Sequence, residues 1–180
     1  MAQKPTLAIQ GGTPIRQKPL PTVMDASGHT FGIEEEKLVI ETLRSGRLTY
    51  TCGTRVESLE KAFAARYGMA HCVACSSGTA AVHIALGAIG IEPGDEVIVP
   101  PITDMGSVIG ILYQNAIPVF ADVDPQTMTL DPESVAQKIT ERTRAVIPVH
   151  LLGNAREMDK IMELAAQHNL SVIEHCAQAY

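Results

Sequence analysis

The spacing of hydrophobic positions changes character at Gly68. Before it, Leu38, Val39 and Leu43 recur at helical intervals within Ile33–Ser45, and Gly46 supplies a C-terminal stop. A second amphipathic helix is predicted over Arg55–Tyr67, with Val56, Leu59, Phe63 and Tyr67 on one stripe. Residues 1–30 contain Gly11-Gly12, several prolines and little periodicity, which marks an N-terminal arm rather than core. After Gly68, short Val- and Ile-rich runs alternate with helical stretches. Strands are predicted at 70–75, 96–99, 117–121, 145–149 and 170–174. Helices are predicted at 78–89, 105–114, 131–140 and 155–168, the last with Met158, Ile161, Met162 and Leu164 facing inward. Five strands alternating with helices, each run continuously apolar, describe an α/β fold: a mainly parallel sheet with helices on both faces.

The stretch from His71 to Leu86 reads as a buried strand, a Ser76-Ser77-Gly78-Thr79 turn, and a helix apolar on nearly every side. The first N–H groups of such a helix are unpaired, and its dipole adds partial positive charge there, which suits a phosphate. An ordinary turn with Ser77 or Thr79 as N-cap explains the same residues. Ligands of parallel sheets collect at the carboxyl ends of strands, so this turn is read with 100–104, Asp122-Val123-Asp124, 150–153 and 174–178. Neither G-x-G-x-x-G nor G-K-[ST] occurs, which sets aside a dinucleotide fingerprint and a P-loop.

Composition narrows the classes. A chain of 180 residues, 46% hydrophobic, can bury a sizeable core as one domain. Its net charge of -6 and lack of a long basic run argue against nucleic acid. No apolar run approaches the roughly 20 residues that span a bilayer, and Met1-Ala2-Gln3-Lys4-Pro5 lacks a secretory core. A cytoplasmic protein without membrane or nucleic-acid partners is expected. Cys72 and Cys75 have C-x-x-C spacing, but no second such pair follows, and both read as buried small hydrophobes rather than metal ligands. His83 reads as a core histidine, His150 as the bearer of a structural hydrogen bond, and no metal site is expected.

As a set, these segments resemble the DegT/StrS family of pyridoxal-phosphate-dependent sugar aminotransferases, whose large domain has the aspartate-aminotransferase (type I) fold. The matching words are Ser77-Gly78-Thr79-Ala80-Ala81, Glu92-Pro93-Gly94-Asp95-Glu96-Val97-Ile98-Val99-Pro100, Pro118-Val119-Phe120-Ala121-Asp122-Val123-Asp124, Pro148-Val149-His150-Leu151-Leu152-Gly153 and Ile173-Glu174-His175-Cys176-Ala177-Gln178-Ala179. The resemblance implies transfer of an amino group from glutamate or glutamine, through the cofactor, to a keto sugar, often nucleotide-linked, or a keto cyclitol. It also implies a homodimer. Gly78 and Thr79 fall at the family's phosphate position, and Gln178 matches a glutamine near the cofactor's ring hydroxyl. Glu174 reads as a neighbour of that contact, and Asp122 and Asp124 as a structural turn.

Two positions depart from the family pattern. His175 stands where the family usually has an aspartate that pairs with the pyridine nitrogen, and Asp104 stands where an aromatic residue commonly covers the ring. Either the two face each other across the site, or Asp104 caps the helix near Met105 while His175 packs. A neutral histidine gives a weaker electron sink than the carboxylate. Lys4, Lys18, Lys37, Lys61, Lys138 and Lys160 all lie outside the family's context for the lysine that bonds the cofactor. The family's chain is longer, so residues 31–180 read as the front part of an incomplete large domain, inactive alone, with no catalytic residue in this span. Two other readings stay open. One is a pyridoxal-phosphate sugar dehydratase or regulatory relative; the other is a cofactor-free α/β scaffold.

Overall fold

The computed structural model describes residues 6–22, 24–25, 30–155 and 158–179. The chain divides into two compact units, residues 1–72 and 73–180.

The first unit holds a short 3-10 turn, Ala8–Gln10, and two helices, α1 (Ile33–Ser45) and α2 (Arg55–Tyr67), with the bounds read from the sequence. At the start of α1, Glu35 folds back to accept the Gly32 N–H at 2.7 Å, and Glu34 to Glu36 place negative charge on the dipole's positive end. Gly46 ends α1 at φ 66°, a left-handed conformation in which a Cβ is strained. The Arg55 guanidinium meets Glu41 at 3.0 Å. Neither helix contains a buried residue, so the predicted stripes exist but enclose no core of their own.

The second unit contains α3 (Gly78–Ala88), β1 (Glu96–Val99), α4 (Gly106–Tyr113), β2 (Ile117–Phe120), α5 (Pro132–Lys138), β3 (Thr143–Val146), α6 (Asp159–His168) and β4 (Ser171–Val172). The four strands pair in parallel, in the order β2-β1-β3-β4. Alternation along β1 divides the core. Val97 and Val99 join Val82, Leu86, Val108 and Ile111 of α3 and α4 on one face. Ile98 joins Val135 and Ile161 of α5 and α6 on the other. Both faces are therefore covered, which is why β1 is apolar without a break after Glu96. Pro118 is tolerated because β2 is an edge strand and needs only one ladder.

Several expectations change. The stretch 70–75 is not a strand: no described strand pairs with it, and an apolar run without a neighbour has no ladder to join. Among the described residues the sheet has four strands rather than five. β3 starts at Thr143 and stops at Val146, because Pro148 has no N–H to continue the ladder. Beyond it the pairing with the last strand survives as single bonds, Ile173 N–H to Val146 O at 3.0 Å and His175 N–H to Pro148 O at 2.9 Å. In α6, Ile161 and Ala165 are buried while Met162, about 100° round the helix, is half exposed. Cys72 and Cys75 are not buried either; the Cys75 thiol lies 3.3 Å from the Ser77 carbonyl.

Candidate functional site

The connections fix where a ligand can sit. From β1 the chain crosses through α4 to β2 on one side; from β3 it crosses through α6 to β4 on the other. The two crossovers diverge between β1 and β3, leaving a crevice beyond the carboxyl ends of those strands. A cleft of about 390 Å³ lies there. Gly78 and Thr79 line it from α3, Thr103, Asp104 and Gly106 from the β1–α4 turn, Val149 from beyond β3, and His175, Ala177 and Gln178 from beyond β4. The five residues singled out from the sequence, Gly78, Thr79, Asp104, His175 and Gln178, share this one cleft.

At the start of α3, Ser77 is the N-cap: its hydroxyl accepts the Ala80 N–H at 3.1 Å. The N–H groups of Gly78 and Thr79 lie in the first turn, where the helix offers no carbonyl to receive them. Across from them, α4 begins with Gly106 for a steric reason. A Cβ there would lie 2.8 Å from Thr79 Oγ1 and 2.9 Å from Asp104 Oδ1. The two helix starts are thus drawn together with a hydroxyl and a carboxylate between them.

Asp104 takes the capping role. Its Oδ1 accepts the Gly106 N–H at 2.7 Å and its carbonyl accepts the Ser107 N–H at 3.0 Å. No hydrogen bond or ion pair joins it to His175 among the described contacts. It acts on His175 as a charge at a distance. Burial pushes the His175 imidazole below its ordinary value, the Asp104 carboxylate opposes that, and His150 adds to it. The balance is downward, so the ring is neutral near pH 7. Of the two arrangements the sequence left open, capping is the one made at Asp104, while both side chains line the same cleft and desolvation outweighs the Asp104 field on the ring.

His175 is instead held by residues that were not singled out from the sequence. Its Nδ1 lies 2.8 Å from Ser107 Oγ, and Ser107 Oγ lies 2.6 Å from Thr103 Oγ1. Ser107 is completely buried. The signal was a small polar residue directly before the apolar run Val108-Ile109-Gly110-Ile111, four positions after Thr103. Gln178 is fixed from the other edge: its Oε1 accepts the Leu152 N–H at 2.6 Å. That bond ties down a loop in which Leu152 adopts φ 54°, uncommon for a residue with a Cβ.

His150 and Glu174 behave as structural partners, with His150 buried and its Nε2 3.0 Å from Glu174 Oε2. Cys176 brings a third potential ligand atom within 4.8 Å of both, and burial, followed by the Glu174 charge, pushes its thiol up. Asp124 Oδ1 accepts the N–H groups of Gln126 and Thr127 at 2.7 and 3.2 Å, the structural turn expected of it. His83 is half-buried, its ring 5.5 Å from that of Tyr113. Among the described residues no lysine lines the cleft.

Comparison with known proteins follows the same outline. The model of the DegT/DnrJ/EryC1/StrS aminotransferase family matches residues 30–180. An L-glutamine:2-deoxy-scyllo-inosose aminotransferase of Streptomyces lividus is 41% identical over 186 aligned residues, covering 100% of this chain and 42% of the relative. Among solved structures, an aminotransferase from Psychrobacter cryohalolentis superposes with TM-score 0.81 at 40% identity, over 84% of this chain and 38% of that one. NtdA from Bacillus subtilis, solved with bound PMP, superposes with TM-score 0.77 at 34% identity, over 80% of this chain and 33% of that one. The chain thus spans less than half the length of the proteins it matches.

Proposed function

The chain belongs to the DegT/DnrJ/EryC1/StrS aminotransferase family, and from that premise we propose that its cleft binds pyridoxal phosphate for amino transfer to a keto cyclitol or keto sugar. The observation that carries this reading is the convergence of α3's open N-terminus with His175 and Gln178 at the divergence of the crossovers. The residues suit the cofactor. Gly106 leaves open the space a Cβ would fill beside Thr79, and the Gly78 and Thr79 N–H groups can receive a phosphate. His175 and Gln178 each keep one side-chain nitrogen without a described hydrogen-bond partner, which leaves both able to meet polar atoms of the ring.

Pyridoxal phosphate supplies an electron sink for reactions at an amino-bearing carbon. The protein's part is to bind, orient and tune it. The α3 N-terminus would hold the phosphate, Thr79 Oγ1 would offer a further hydrogen bond, and Gln178, fixed by its bond to Leu152, would offer its free amide N–H to a polar atom of the ring. The lysine that bonds the cofactor, the amino donor site and much of the acceptor site belong to the rest of the whole protein in this reading. Glutamine is the proposed donor, a second copy of the chain the proposed partner, and the cytoplasm the proposed compartment. Among the described residues no helix is long and apolar enough to cross a membrane.

One observation favours a second reading. A histidine in place of the family's aspartate alters the contact at the ring nitrogen, and an altered ring contact can change the reaction, toward a dehydratase or a regulatory relative. The test is direct. Adding pyridoxal phosphate to the intact protein is expected to produce a protein-bound visible absorbance band, and L-glutamine is expected to convert it to the amine form. No band would overturn cofactor binding. A band that L-glutamine leaves unchanged, in a protein that dehydrates a keto sugar, would overturn the transaminase reading.

A further inference from the structure

Three polar groups run in line through the base of the cleft: Thr103 Oγ1, Ser107 Oγ and His175 Nδ1, separated by 2.6 and 2.8 Å. Each hydroxyl has one proton, so the line has only two consistent directions. In one, Thr103 donates to Ser107, Ser107 donates to Nδ1, and the imidazole proton sits on Nε2. In the other, Nδ1–H donates to Ser107, Ser107 donates to Thr103, and the Thr103 proton is left over. The first uses both hydroxyl protons and leaves a single donor, Nε2–H. The second strands a hydroxyl proton on half-buried Thr103 and a lone pair on Nε2. The second direction leaves two groups without a described partner where the first leaves one, so the first direction is favoured.

We propose that Ser107, backed by Thr103, is a positioning residue that holds His175 as the Nε2–H tautomer, so that a neutral imidazole donates to the unprotonated ring nitrogen of the bound cofactor. This inference rests on the cofactor reading above and deepens it. A carboxylate at this place would keep the ring nitrogen protonated; a donor N–H requires it to be bare. The burial that pushes the imidazole down agrees with a site in which neither partner carries charge. Asp104 and His150, the charged or titratable groups that act on the ring, contribute opposing effects. Asp104 is already engaged at the Gly106 N–H. The hydroxyl line therefore sets the tautomer by direct contact.

The experiment is nitrogen-15 NMR of the intact protein with labelled histidine, read first without cofactor. The His175 signals are expected to show an unprotonated Nδ1 and a protonated Nε2. Ser107→Ala is expected to let the proton redistribute between the two nitrogens, and Ser107→Thr, which keeps a hydroxyl, to restore the Nε2–H form. Should Ser107→Ala fail to fold, Thr103→Val cuts the same line from its more exposed end. A protonated Nδ1 in the wild type, a charged ring at neutral pH, or a tautomer unmoved by both variants would overturn the proposal. With pyridoxal phosphate added, Ser107→Ala is expected to weaken binding about tenfold, the loss of one oriented hydrogen bond. Absence of cofactor binding in the wild type would instead defeat the functional reading, and the tautomer measurement stands apart from it.

Discussion

Gly110 of α4 tests whether the helix that carries the anion site is held by close backbone packing. A Cβ built there would lie 3.0 Å from the His83 nitrogen, 3.2 Å from His83 Cα and 3.2 Å from Val82 Cγ1. Two of the three atoms are α3 backbone, so no rotamer change can relieve the contact; α3 must move. Gly110→Ala gains about 1 kcal/mol of helix propensity. Overpacking against an unyielding neighbour costs about 1–3 kcal/mol, with backbone contact placing this case toward the upper end. The expected net is a loss of about 1–2 kcal/mol, or roughly 2–8 °C in Tm for a protein of this size. Gly87 of α3 is the matched control. It is exposed, and the contact its added Cβ would make is with Nε2 at the end of the flexible Gln114 side chain, at 3.2 Å. Gly87→Ala is expected to stabilise by about 0.5 kcal/mol. Urea denaturation of the intact proteins compares the two, and pyridoxal phosphate titration follows the anion site. Gly110→Ala should weaken the cofactor as α3 shifts; Gly87→Ala should not. Equal or greater stability of Gly110→Ala would refute the argument that α3 and α4 are locked at this crossing.

Ser77→Asp and Ser77→Ala separate capping from phosphate binding. Aspartate also caps and suits the dipole, so Ser77→Asp should keep its stability while its carboxylate repels the phosphate; Ser77→Ala should lose about 1 kcal/mol. Thermal unfolding and cofactor titration of the two variants check this. Glu96, 4% exposed at the foot of β1, accepts from Thr140 Oγ1 at 2.5 Å and from Arg142 Nε at 2.9 Å. The Thr140 hydroxyl first, and then Arg142, hold its carboxyl below the ordinary value. Its contribution is therefore complete above the ordinary glutamate pKa and disappears as pH falls through the lowered folded value. Glu96→Gln should cost about 1.5–3 kcal/mol at neutral pH. Denaturation midpoints measured from about pH 7 to about pH 3 should show the gap to wild type closing in acid.

Local pattern was enough for much of this protein. The bounds of α1 and α2 follow from helical spacing and their closing glycines, and β1 from an unbroken apolar run, all decided by neighbours within a few residues. The strand-end logic also brought Gly78, Thr79, Asp104, His175 and Gln178 together on paper, because parallel topology sends every carboxyl end to one edge. What failed needed a partner. Residues 70–75 have a strand's composition without a paired neighbour, and Met162 has a core residue's chemistry on the wrong side of α6.

The tertiary structure alone decided the state of the site. Whether Asp104 paired with His175 or capped α4 depended on which N–H the fold places within reach of its carboxylate, and that is the Gly106 N–H. Ser107 was invisible as a partner of His175 because 68 residues separate them. Sequence specifies which chemical groups arrive at a cleft. The protonation and tautomer of those groups follow from burial and from contacts made across the sheet, which exist only once the chain has folded.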